Sequence, residues 1–268
     1  MLASQRQERI LEEIRREGAA RVSDLTSLFG VSDMTVRRDL EQLASAGAVR
    51  KVHGGALLSA TATEEPGFAA KSGLEQPAKS AIAQLAATLI RPGSAIAISA
   101  GTTTYGIAQY IASIPGLTVV TNSTTVADLI ASSSDNIEQT VILTGGVRTP
   151  SAALVGPVAD LSLRSLHVDQ LFLGVHGMSP NSGFTTPNLA EAETNRSLIN
   201  GASQVVICAD STKWGAVGLA SFAPLSAAHI LVSDSGLSED ARAVLSSEVG
   251  SLRIAEVDRG RPEVLEVS

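Results

Sequence analysis

Aromatic residues make up only 3% of this 268-residue chain: one Trp, two Tyr and five Phe. A core without aromatic bulk has to be built from Ala, Val, Leu and Ile, which suits parallel strands buried between helices. Cysteine is scarcer still. Cys208 stands alone, which excludes a disulfide framework and a thiolate metal cluster. Placed in the apolar run QVVICAD, it is expected to be a buried strand residue and not a nucleophile. Long apolar runs are missing too. No window reaches the ~18 uninterrupted apolar residues of a membrane span, and the opening MLASQRQERILEEIRREG has no apolar stretch behind its charges, unlike a secretory signal. The expectation is a cytoplasmic protein with no membrane partner, no metal and no cofactor.

A basic surplus is also absent, because the net charge is −7. That total argues against nucleic-acid binding until it is divided along the chain. Residues 1–57 carry nine Arg and Lys against eight Asp and Glu, a balance of +1, and the remainder carries eleven against nineteen, a balance of −8. Within residues 34–55, Arg37, Arg38, Arg50 and Lys51 face only Asp39 and Glu41. The local balance is positive where DNA contact needs it. The length allows about two domains, and 44% apolar residues are ample for their cores.

Residues 5–17 place Arg6, Ile10 and Ile14 at four-residue spacing with Leu11 beside them, which predicts an amphipathic helix stopped by Gly18. VSDLTSLFG predicts a short second helix with Ser23 as N-cap and Gly30 as stop. Ser32 then caps a third, DMTVRRDLEQLASAG, ending at Gly47. AVRKVHGGALL alternates apolar and polar residues around Gly54-Gly55 and predicts a β-wing. Residues 58–78, rich in Ala, Thr, Ser, Gly and Pro without a sustained period, predict a linker between a domain at 1–57 and a second at 79–268.

On the third helix Val36, Leu40 and Leu43 recur at i, i+4 and i+7 and define the inward face. Met34 and Arg38 then project away from the core, with Thr35 and Arg37 flanking them near the helix start. A helix N-terminus offers N–H groups to phosphate, and Arg pairs with phosphate or reads guanine in bidentate fashion. Thr35 suits a thymine methyl or a phosphate. Asp39, nearer the core edge, is expected in an internal ion pair. Two adjacent arginines alone describe a solvated face. Two short helices joined at Phe29-Gly30-Val31-Ser32 and followed by a ribbon bearing Arg50, Lys51 and His53 describe a helix-turn-helix with a wing, and so a DNA-binding unit. His53 reads equally well as a turn-packing residue.

From residue 79, helices at 79–90, 103–113, 124–132, 189–200 and 238–247 alternate with short strands at 96–99, 117–121, 140–144, 170–175, 205–210, 229–234 and 253–257. The alternation predicts an α/β domain with one parallel sheet covered on both faces. Strand IAIS runs into Ala100-Gly101-Thr102-Thr103-Thr104 and then a helix, so a glycine and three hydroxyls sit where backbone N–H groups and the helix dipole favour an anion. Other strands end in Asn122-Ser123, in Gly145-Gly146-Val147-Arg148 and in Ser211-Thr212-Lys213. In a parallel sheet these ends are expected to converge on one crevice, with Arg148 and Lys213 as its cations. Threonine runs also cap helices, and either cation reads equally as a surface residue.

At this point a resemblance becomes specific. Arg6-x3-Ile10-x3-Ile14, Ser32-x2-Thr35-Val36-Arg37-Arg38-Asp39-Leu40 and Arg50-Lys51-Val52-His53-Gly54-Gly55-Ala56 resemble the N-terminal signature of the DeoR family of bacterial regulators. The second domain resembles the sensor of that family through AGTTT, TVVTNS, LTGGVR, ALVGP, LFLGVHGM, SGFTTPNLAEAE and ADSTKWG. The resemblance implies that the third helix enters the major groove and that Arg37, Arg38 and the wing contact the operator. It also implies a fold shared with ribose-5-phosphate isomerase and a sugar-phosphate-type effector, its phosphate held by Gly101, Thr102, Thr103 and Lys213. Glu191 becomes a candidate partner for sugar hydroxyls, although a carboxylate at a helix start also simply matches the dipole. Many members carry Asp-Ser where this chain has Ser99-Ala100, which removes an acidic group from the crevice.

Two alternatives stand beside a regulator. An aldose–ketose isomerase needs a carboxylate base and further acids. The isomerases resembled here carry Asp-Gly-Ala-Asp-Glu where this chain reads Leu173-Gly174-Val175-His176-Gly177, which leaves only Glu191 and His176 to act. No catalytic residue is therefore expected. The other alternative is an architectural DNA-binding protein whose second domain only oligomerises. Reading a repeated or palindromic site takes two or more recognition helices, so a homo-oligomer is expected in either case. The favoured expectation is a repressor of carbohydrate or polyol metabolism genes, released from double-stranded operator DNA by a phosphorylated metabolite.

Overall fold

The structure, a computed structural model, describes residues 3–17, 19–45, 49–52, 54–58, 67–111, 113–132 and 138–257. Its contacts divide it into two units, one ending at Leu74 and the other beginning at Glu75. The expected stops at Gly18 and Gly47 and the wing residue His53 lie outside the described residues.

The first unit comprises α1 (Ala3–Glu17), β1 (Ala19–Arg21), α2 (Val22–Phe29), α3 (Asp33–Ser45), β2 (Val49–Val52), β3 (Gly55–Leu58) and the short α4 (Phe68–Ser72). The inward residues of the three long helices form its core: Ile10 and Ile14, Val22 and Leu25, and Val36, Leu40 and Leu43, closed by Val49 and Ala56. Each such aliphatic burial contributes about 1.5–3 kcal/mol. The wing has one strand more than expected, because β1 pairs antiparallel with β3 in the order β1-β3-β2. Three residues, Ala-Ala-Arg, are too few to show a period. β1 also corrects the start of α2, whose N-cap is Arg21. Ser23 lies inside that helix and donates its hydroxyl to Asp24 Oδ1 at 3.0 Å. Gly55 packs so closely on β1 that a Cβ there would lie 2.3 Å from the Ala20 carbonyl oxygen.

The second unit opens with α5 (Gln76–Ala87), three residues earlier than expected, with Pro77 in its first turn. Then follow β4 (Ala95–Ile98), α6 (Thr102–Ile111), β5 (Thr118–Thr121), α7 (Thr124–Ala131), β6 (Thr140–Leu143), β7 (Val147–Arg148), β8 (Leu154–Val155), α8 (Pro157–Arg164) and β9 (Val168–Gly174). The rest is β10 (Gly177–Ser179), β11 (Gly183–Thr186), α9 (Leu189–Asn200), β12 (Ala202–Cys208), β13 (Ala220–Ala223), β14 (Ile230–Asp234), α10 (Glu239–Glu248) and β15 (Leu252–Ala255).

Seven strands form a parallel sheet in the order β15-β14-β12-β9-β4-β5-β6. Successive residues along its strands feed two separate cores, which is why these strands read as continuous apolar runs. Ile96, Ile98, Phe172, Val206 and Cys208 face the helices α5, α6 and α7. Ala97, Leu171, Leu173, Val205 and Ile207 face α8, α9, α10 and a small antiparallel sheet of β10, β11 and β13, where Phe184 and Phe222 stack at 6.3 Å. The chain leaves β4 for α6 on one face and leaves β9 for β10, β11 and α9 on the other. The carboxyl ends of these neighbouring strands therefore mark the switch point of the sheet, the place where open α/β sheets bind their ligands.

Candidate functional site

On the first unit, α3 exposes Asp33, Met34, Arg37, Arg38, Glu41 and Gln42 on the side away from the core. Ser32 caps it as expected, accepting from the Thr35 N–H at 3.3 Å and sharing a hydroxyl contact with Thr35 at 2.8 Å. Met34 is 81% exposed, and Arg37 and Arg38 are exposed beside it. Arg37 pairs with Asp33 one turn back, whereas Arg38 has no partner among the described residues. Lys51 reaches across from β2 to Glu41 on α3 at 2.6 Å and holds that carboxyl below its ordinary value. Arg50 lies in the same strand, its backbone paired with Leu57. Asp39 is the internal anchor the sequence suggests: it is buried, accepts from Arg6 Nε at 2.5 Å and from Gln7 Nε2 at 3.1 Å, and so locks α3 against α1. The Arg6 guanidinium is raised above its ordinary value by that hydrogen bond.

On the second unit, the candidate site is built around the turn from β4 into α6. Gly101, at φ 148°, adopts a conformation that L side chains avoid, and its carbonyl accepts from the Tyr105 N–H. The first N–H groups of α6, from Thr102 onward, have no partner within the helix and point out of its end. Thr102 is partly exposed and Thr103 is buried with 7% of its surface open. Thr104 corrects the sequence reading. It is fully buried and donates its hydroxyl to the Gly101 carbonyl at 3.1 Å, so it shapes the loop and offers a ligand nothing. Asn122 is likewise a brace: its Oδ1 accepts from the Ala100 N–H at 2.9 Å and its Nδ2 donates to the Leu154 carbonyl at 3.2 Å. Ser99 Oγ accepts from the Gly174 N–H at 3.1 Å and ties the β4 end to the β9 end.

Glu191 sits in the first turn of α9, whose N-cap is Asn188. Three hydroxyls already donate to it: Ser151 at 2.5 Å and Thr149 at 3.1 Å to Oε1, and Thr186 at 3.0 Å to Oε2. Ser123 and Thr124 hold the segment 149–154 through the Ser123–Ala153 bridge and the Ala152 carbonyl. A continuous path of hydrogen bonds thus runs from Ala100 through Asn122 and Leu154 to the loop around Glu191. Sequence reasoning did not find Thr149 or Ser151, because nothing local pairs residues some forty positions apart, and it missed Thr186, five residues from Glu191, because β11 ends between them.

The two candidate cations stand on opposite sides of this turn. Lys213 follows β12, two strands from β4, about 10 Å at ordinary strand spacing. It is 29% exposed and lies 3.9 Å from the buried carboxylate of Asp210. Arg148 is on β7, which follows β6 and pairs with β8, and is exposed. His176 lies just past β9, its N–H bonded to the Thr185 carbonyl. Among the described residues no group of His, Cys, Asp and Glu is arranged to hold a metal ion, and no helix is long and apolar enough to cross a membrane.

A winged helix-turn-helix joined to a parallel α/β domain, with β4 running through a glycine turn into a helix, defines a DNA-binding transcription regulator with a sensor domain. The chain belongs to the DeoR family. It matches the model of the DeoR-like helix-turn-helix domain over residues 6–62 and that of the DeoR C terminal sensor domain over residues 75–235. It is 38% identical over 256 residues to the Escherichia coli HTH-type transcriptional regulator YgbI, covering 95% of this chain and 99% of that protein. It is 30% identical over 233 residues to the transcriptional repressor AccR of Agrobacterium fabrum, covering 86% and 89% of the two chains. Ribose 5-phosphate isomerase A from Methanocaldococcus jannaschii shows a partial likeness in fold, with a TM-score of 0.37 and 14% identity over 51% of this chain and 53% of that one.

Proposed function

We propose that this regulator is a homo-oligomeric repressor of sugar or polyol metabolism genes, and that a phosphorylated metabolite bound at the β4–α6 turn releases it from its operator. The observation that carries the reading is Gly101 and the open N-terminus of α6, placed at the switch point between β4 and β9. Gly101, Thr102 and Thr103 receive the phosphate, Lys213 approaches from the β12 side, and the remaining hydroxyls extend toward the loop held by Glu191. Arg148 contributes long-range attraction from its exposed place on β7. Ser32, Thr35, Met34, Arg37, Arg38, Arg50 and Lys51 form the DNA face. Catalysis has no part in this reading: both oxygens of Glu191 are engaged by the protein's own hydroxyls, and the segment after β9 supplies no carboxylic acid.

The experiment is a gel-shift titration of the upstream region with a panel of phosphorylated sugars and polyols, alongside thermal melts. A cognate effector at ~100 times its dissociation constant adds about 2.7 kcal/mol of stability and lowers operator occupancy. An Arg37→Ala/Arg38→Ala double variant that binds as tightly as the parent refutes the DNA face. Turnover of a pentose phosphate that disappears in Glu191→Ala refutes the absence of catalysis.

A further inference from the structure

Asp210 ends the run that leads out of β12, and its carboxylate is only 1% exposed. Oδ1 is fully used, accepting from both the N–H and the hydroxyl of Thr212. Oδ2 is buried and has no hydrogen-bond partner among the described residues. Orphaned buried acceptors are uncommon and costly, more so when charged. Burial pushes this carboxyl upward, yet Lys213, the Thr212 hydrogen bonds and Lys79 more than offset that, leaving it below its ordinary value. The open oxygen is thus ionised at neutral pH. Facing it at 3.9 Å is the Lys213 ammonium, close enough for an ion pair and too far for a hydrogen bond.

We propose that Asp210 is the positioning residue for Lys213: pinned through Thr212, it presents Oδ2 to the ammonium from beneath and aims the remaining N–H donors into the candidate site, where they meet a phosphate. The inference deepens the proposed function and rests on it, because it needs Lys213 to touch the ligand. Asp210 affects an anion in two opposed ways. It repels negative charge, and it holds the cation in place. Lys79, itself buried, shares in neutralising the carboxylate, and a double-mutant cycle decides which effect dominates.

The test is a double-mutant cycle on the full chain with inorganic phosphate as the probe, followed by ³¹P line broadening, with melting curves as the folding control. Asp210→Asn is expected to weaken phosphate binding about tenfold, the range for losing one charge-assisted contact. In a Lys213→Gln background the same change is expected to leave binding unaltered or slightly tighter, since only the repulsion is then removed. Equal weakening in both backgrounds, or no weakening with Lys213 present, overturns the proposal. If Asp210→Asn melts too low to titrate, Thr212→Val removes the hydroxyl half of the Oδ1 anchor instead and must show the same dependence on Lys213; a loss independent of Lys213 overturns the proposal equally. A Lys213→Gln protein that binds phosphate as well as the parent, or a parent that binds none, removes the phosphate site itself and the inference with it. That result is distinct from a cycle that fails while Lys213 still matters.

Discussion

Asp39 shows how one residue can serve recognition without touching DNA. It is buried with Arg6 and Gln7 as partners, and removing it strands the Arg6 guanidinium at the α1–α3 contact. Asp39→Ala is expected to destabilise the first unit by about 2 kcal/mol, read as a fall in its melting temperature. Glu75 carries the opposite kind of strain. It is a non-glycine residue at φ 51°, and its carboxyl is raised by partial burial and by repulsion from Asp210 and Asp234. A raised acid binds its proton more tightly folded than unfolded, so its favourable contribution is complete below the unfolded value and is lost as pH rises through the folded one. Glu75→Asn, which tolerates this backbone, is expected to stabilise the protein by about 0.5–1 kcal/mol at neutral pH. The gain from lost repulsion should fade as pH falls into the carboxylate range, and melts across pH check it.

At the scale of elements, α3 is where the sequence was most legible. A 3.6-residue period and a serine cap are local properties, and each is found as expected, while the exposed arginines share their face with Asp33 and Glu41. The Asp33–Arg37 pair adds a consequence for affinity. Asp33→Ala frees Arg37 and is expected to tighten DNA binding several-fold at low salt, while Arg38→Ala weakens binding and lowers the salt slope by about one. An Arg38→Ala loss that stays constant across salt concentrations contradicts a phosphate contact there. The parallel strands were legible for the same reason, since continuous apolar runs mark burial on both faces. What stayed hidden depends on distance along the chain. β1 is too short for a pattern, Thr104 could be seen to be internally bonded only once Gly101 was placed, and the hydroxyl cage of Glu191 unites three separate segments.

For the whole molecule, a net charge of −7 coexists with DNA binding because the acidic excess belongs to the sensor unit. Sedimentation of the full chain is expected to show at least a dimer; a monomer at operator-binding concentrations contradicts symmetric recognition. The buried Cys208 has a practical side. Its thiol is wholly enclosed between β12 and the helices above, and burial pushes it up to about 12. Thiolate, the reactive form, is then scarce and shielded at neutral pH. A single surface cysteine introduced on α3 and another on the sensor unit become the only sites that take a maleimide dye, so the native chain already supplies a silent background for energy-transfer measurements between reading head and sensor.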